Sequence, residues 1–130
     1  MTGQAKAAAV VYAKHLPAMR AFYAHAIGLE ETHAEPDHAV LESPAFELVL
    51  LSVPEPVAAS IEIASPPARR TQTPIKLVFF VENIAAVRAA AMELGGEVNA
   101  VERTWQFRGH AVCDGHDPEG NVFQLRQPVA

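Results

Sequence analysis

The strongest constraint on this chain is a pattern that runs through it twice. Aligning Val10 with Val78 brings His15 onto Asn83, Met19 onto Val87 and Gly28 onto Gly96 without a gap. Each half reads as an apolar strand, a helix with an apolar stripe, and then three shorter strand-like runs, so the repeating unit is β-α-β-β-β. Identity between the halves is low, and what repeats is the spacing of apolar residues. A unit of this kind buries its helix stripe on one face of its own sheet, which places the chain in the α+β class.

In the first half, Ala7 to Ala13 is small or apolar on both faces and reads as a strand covered on both sides, with Ala8, Val10 and Tyr12 sharing one face. Leu16-Pro17 begins a helix with proline in the first turn, where its missing N–H costs nothing. Met19, Phe22, Tyr23 and Ala26 form its stripe, and Gly28 suits a left-handed cap. Leu29 to Ala34, His38 to Ser43 and Phe46 to Val53 read as strands, parted by turns at Glu35-Pro36-Asp37 and Ser43-Pro44-Ala45. Glu47 is a carboxylate inside the most apolar of them.

Between the halves, residues 54–74 carry Pro54, Pro56, Pro66, Pro67 and Pro74 and little periodicity, so they form a connecting loop in which only Ser60 to Ala64 hints at a strand. Ile75 to Val81 is then a strand, and Asn83 an N-cap. Ile84, Val87, Ala91 and Leu94 form a stripe ending at Gly95-Gly96. Glu97 to Glu102 reads as a strand, Arg103 to Gly109 as an aromatic loop, and His110 to Arg126 as a closing hairpin around Asp117-Pro118-Glu119-Gly120-Asn121. Proline there pre-sets φ, Gly120 is free to take positive φ, and Asp117 and Asn121 can bond locally. Beyond the turn, one strand face is apolar and the other carries the Gln124 amide and the Arg126 guanidinium.

The chain is long enough to bury about two thirds of its unfolded surface as one domain. A net charge of −5, with Arg69-Arg70 the one adjacent basic pair, argues against a nucleic-acid partner. The single Cys113 can close no internal disulfide. The apolar run at the N-terminus is too short for a signal or a membrane span, so no membrane role and a cytoplasmic location are expected. None of the six histidines forms an HxxxH or HxH pair, and His110 and His116 alone fall close enough to the closing hairpin to suggest a ligand or acid-base role.

Three stretches, AFYAHAIGLE, FFVENIAAVRAAAMELGGEV and DPEGNVFQL, resemble the vicinal oxygen chelate superfamily, which includes glyoxalase I, bleomycin-resistance proteins and extradiol dioxygenases. The resemblance covers nearly the whole chain. It implies two tandem βαβββ modules, 5–53 and 75–127, forming an incomplete eight-stranded barrel around a cleft. It further implies a homodimer. Catalytic members hold a divalent metal on four cleft-facing side chains, and carried over here those positions fall on Ala8, Glu47, Lys76 and Gln124. Alanine has no donor, an ammonium repels a cation, and glutamate and glutamine alone make a weak site. No metal, no catalytic residue and no cofactor are therefore expected; Lys76 either pairs with Glu47, with Gln124 bonded to one of them, or extends to solvent from its strand end.

Trp105 and Phe107 either wall a ligand pocket, with Arg108 available to an anionic group, or cap the core beneath a loop. Tyr12, Val49, Val78 and Phe80 share the parity of the cleft positions. The expectation is a binder of a small, partly aromatic molecule, similar to the bleomycin-resistance branch. The alternatives are a metal-dependent lyase, isomerase or dioxygenase using Glu47 and Gln124, and a module that binds a protein partner.

Overall fold

A computed structural model describes residues 6–129. The chain divides into two compact units between Glu62 and Ile63, inside the connecting segment. Together they form a mixed α+β fold of two βαβββ-like modules.

The first unit is a four-stranded sheet in the order β1-β4-β3-β2, built from β1 (Ala7–Ala13), β2 (Glu30–Glu35), β3 (His38–Ser43) and β4 (Phe46–Ser52). β1 runs parallel to β4, and the other pairs are antiparallel. Helix α1 (Leu16–Phe22) carries proline in its first turn and continues as a π-helical turn, Tyr23–Ile27, closed by Gly28 at φ 92°. Leu16, Met19, Phe22 and Tyr23 are buried, as are Ala39, Leu41, Leu48 and Leu50 on the sheet. Each such large side chain contributes about 1.5–3 kcal/mol by leaving water.

The other face of this sheet is different. Ala8 lies opposite Glu47, Val10 opposite Val49 and Tyr12 opposite Leu51. Val10 and Tyr12 are 55% and 63% exposed, so β1 is covered on one side and open on the other, contrary to the expectation of two covered faces. Alanine-rich strands are ambiguous in this respect, because small side chains fit a buried or an open face equally well. Every residue of β2 is exposed, and its charges blunt the sheet's edge. Ser60 to Ala64 forms no strand; the regular structure nearby is a short helix α2 (Glu55–Ala58) started after Pro54.

The second unit is a five-stranded sheet, β5-β9-β8-β6 with β7 on β8, formed by β5 (Leu77–Phe80), β6 (Glu97–Val98), β7 (Trp105–Phe107), β8 (His110–His116) and β9 (Val122–Pro128). Helix α3 (Ile84–Glu93) starts at Asn83, whose side chain accepts the Ala86 N–H at 3.0 Å, and buries Ile84, Val87 and Ala91. Phe79, Cys113, Phe123 and Leu125 are buried sheet residues of one parity, and the Phe79 and Phe123 rings meet edge to face at 6.2 Å. Gly115 completes that face; a Cβ there would lie 2.6 Å from the Glu97 carbonyl oxygen and 2.9 Å from the Phe123 ring.

Three expectations for this half are revised. Lys76 precedes β5 instead of lying within the strand. The strand expected at 97–102 stops at Val98, because Val101–Arg103 turns into a 3-10 helix. The aromatic loop is a hairpin arm: Trp105 pairs with Val112 and Phe107 with His110, around Arg108 and Gly109 at φ 50° and 78°. Two consecutive positive φ values are what a two-residue hairpin needs to match strand twist. With β7 the described residues contain nine strands, one more than the pair of βαβββ units requires.

Candidate functional site

The DPEGN turn holds the start of β9 in place. Asp117 is fully buried, and its Oδ1 accepts the backbone N–H groups of Glu119 at 2.8 Å and Asn121 at 3.1 Å. The Asn121 amide donates to Oδ2 at 2.9 Å, and Gly120 takes φ 85°. Against this fixed corner, β9 lies between β5 and β8, which sets Val78 beside Gln124 beside Asp114, and Phe80 beside Arg126 beside Val112 beside Trp105. These rows lie on the sheet face opposite Phe123 and Leu125.

Along that face the polar groups are joined end to end. Lys76 Nζ donates to Asp114 Oδ2 at 3.0 Å, Gln124 Nε2 donates to Asp114 Oδ1 at 3.3 Å, and Arg126 Nε donates to Gln124 Oε1 at 2.9 Å. The guanidinium of Arg126 lies 5.7 Å from the Phe80 ring centroid and 5.0 Å from that of Phe107. Phe80 also meets the His110 ring edge to face at 5.2 Å. With Nε held by Gln124, the two terminal nitrogens of Arg126 remain as donors beside aromatic surface. Phe80, Phe107 and Trp105 are 66%, 45% and 42% exposed. Exposed aromatics grouped on one sheet face forgo burial energy, which makes this face the candidate site.

The expected site residues are thus placed as follows. Phe80, Phe107, Trp105 and Gln124 share one face of the second unit, with Lys76 tied to it through Asp114. Arg108 sits at the tip of the β7–β8 hairpin, where its carbonyl oxygen faces His110 Nδ1 at 3.0 Å. Tyr12 and Glu47 share the open face of the first unit with Ala8. The ammonium of Lys76 pairs with Asp114, where Glu47 was the expected partner. Gln124 correspondingly bonds to Asp114 and Arg126. In the first unit the Lys6 ammonium bonds to Glu42, which raises its pKa, and the charge of Glu47 adds to the effect.

Arg126 and Asp114 are the functional candidates that sequence reasoning missed. A signal existed for Arg126, which alternates in phase with Gln124. Asp114 offered less, a lone carboxylate in the middle of HAVCDGH. His116 is also reassigned: it is buried, and its Nδ1 accepts from Arg69 Nε at 2.8 Å. Burial lowers its pKa and the Arg69 charge lowers it further, with Glu97 opposing, so the ring is neutral at pH 7.

The metal set of catalytic relatives does not fit these residues. Register places Val78, and not Lys76, opposite Gln124 as Ala8 is opposite Glu47, so both first-strand positions carry side chains without a donor. Among the described residues no group of three or more His, Cys, Asp or Glu is placed to hold a metal ion. No described helix is long and apolar enough to cross a membrane.

Paired βαβββ modules with functional groups on the open sheet faces define the vicinal oxygen chelate class of proteins. Within it, residues 8–126 match the Glyoxalase-like domain, and the chain belongs to that family. A glyoxalase/bleomycin resistance protein from Albidiferax ferrireducens is similar in structure, with a TM-score of 0.64 at 19% identity over 95% of this chain and 98% of that one. A transposon-encoded bleomycin resistance determinant gives a TM-score of 0.61 at 15% identity over 99% and 100% of the two chains. An antibiotic-binding protein from a Streptomyces species gives 0.63 at 19% identity over 99% of each. No curated protein matches the sequence.

Proposed function

We propose that this chain binds a small, partly aromatic molecule on the Phe80–Phe107–Arg126 face, by sequestration and without a catalytic metal, as a homodimer. The observation that carries the reading is the Arg126 guanidinium held beside two exposed phenyl rings and fixed by Gln124. A flat ring can stack on Phe80, Phe107 or Trp105, and an oxygen of the same molecule can accept from the free end of Arg126. Because Gln124 is itself held by Asp114, and Asp114 by Lys76, the guanidinium is oriented before a ligand arrives, which lowers the entropy cost of binding. Bleomycin resistance and antibiotic binding in the two structural relatives support the same kind of activity here.

Trp105 supplies the assay. Its fluorescence is titrated with planar aromatic compounds, antibiotics included, and the hits are repeated on Arg126→Met. That substitution keeps an apolar stem and removes the donors, so affinity is expected to fall about tenfold or more. Equal affinity of wild type and variant for every hit would refute the reading. Near-stoichiometric zinc, nickel, iron or manganese in protein purified without chelator would favour a metal-dependent enzyme instead. Sedimentation equilibrium reads the dimer directly.

A further inference from the structure

Beside the Lys76 end of the polar row lies a hollow of about 280 Å³. We infer that it is a second binding site, for a small dianionic oxyanion of the phosphate class. Its lining includes Arg69, Arg70, Lys76, Arg103 and Thr71, and Asp114 is the one carboxylate in its wall. Four cations facing one anion is a local charge opposite in sign to that of the chain, whose net charge is −5. Gathering like charges around an open hollow is unfavourable unless an anion enters, and an anion there meets the summed field of all four.

Three of the cations are also anchored. Arg69 donates from Nε to His116 and, at 2.6 Å, from Nη1 to the Asn99 side-chain oxygen, which leaves Nη2 free to donate. Arg70 gives Nε to the Glu119 carbonyl oxygen at 3.2 Å and keeps both terminal nitrogens, while its backbone N–H donates to the Gly120 carbonyl oxygen at 2.8 Å. Lys76 spends one of its three N–H donors on Asp114. Arg103, on the 3-10 helix, is exposed, and no bond from its guanidinium holds it to the described residues. Two anchored guanidiniums supply direction, and the Arg103 guanidinium, which spends no donor on the described residues, adds a further set. A tetrahedral dianion can use all of these donors, whereas a carboxylate offers two oxygens and one charge.

The hollow shares Lys76 and Asp114 with the polar row but does not depend on the aromatic face binding anything. Isothermal titration of the whole chain with inorganic phosphate, at low ionic strength so that screening is weak, tests it. Saturable binding near or below about 1 mM is expected, the range of a ligand held by a few charge-assisted bonds. Arg103→Ala is expected to weaken it about tenfold with Tm unchanged, since Arg103 supports no other contact. Arg20→Ala, which removes one positive charge from the first unit, is expected to leave it unchanged. Absence of saturation up to about 10 mM phosphate, equal losses in the two variants, or acetate binding as tightly as phosphate would each overturn the assignment.

Discussion

Replacing Asp117 with alanine is the sharpest test of how the closing hairpin is held. The carboxylate is fully buried and its Oδ1 takes two backbone N–H groups, from Glu119 and Asn121, besides the Asn121 amide. Alanine leaves those backbone donors without this acceptor in a corner where Glu119 is 3% exposed. An unsatisfied buried donor costs about 1–3 kcal/mol, so two together with the lost amide contact give about 3–5 kcal/mol. Against a total stability of about 5–15 kcal/mol this is a large fraction, and for a chain of this size it lowers Tm by about 10 °C or more. Urea denaturation followed by circular dichroism measures it. Asp117→Asn, which keeps one acceptor oxygen, is expected to lose about half as much. A loss under about 1 kcal/mol for the alanine variant would show that water or a rearranged turn satisfies these donors, and the argument from buried acceptors would fail.

Two further outcomes follow from charged groups in the second unit. Lys76→Met removes an ion pair whose side chains are 41% and 21% exposed, so stability is expected to change by no more than about 1 kcal/mol, read from the urea midpoint. A larger loss would mean that the Lys76–Asp114–Gln124 row is a structural strut. The His116 pKa is lowered in the folded chain, by burial first and by Arg69 second. The neutral ring therefore stabilises the fold above the unfolded value of about 6.5, and that stability is lost as pH falls through the lower folded value. Wild type is expected to lose stability between about pH 7 and pH 5 more steeply than His116→Gln; parallel curves would show that the histidine is not the group responsible.

Much of the architecture could be read from local chemistry. The Asn83 cap, the left-handed Gly28 and the Asp117–Asn121 turn each depend on residues within a few positions of one another, and each was expected from those residues alone. The π-helical turn at Tyr23–Ile27 was not, because the apolar stripe has the same spacing whether or not the last turn widens. β7 escaped because it is only three residues long, too short for an alternation to announce a strand, and because Arg-Gly is an uncommon turn pair. The site shows the same limit. Parity told which face each residue occupies, but Phe80 and Arg126 meet because β5 and β9 fall into lateral register, and Phe107 reaches Arg126 from the neighbouring row through His110. Lys76 pairs with Asp114 where Glu47 was expected, because alternation along one strand does not reveal which side chains of neighbouring strands come alongside it.

Gly120 ties the two ideas of corner and pocket together. A single added carbon on it would sit 2.1 Å from the carbonyl oxygen of Ala68, so the crossing segment rests on bare peptide. Any other amino acid at that position would lift the strap that carries Arg69 and Arg70. The missing methyl of one residue therefore governs where two guanidiniums can stand.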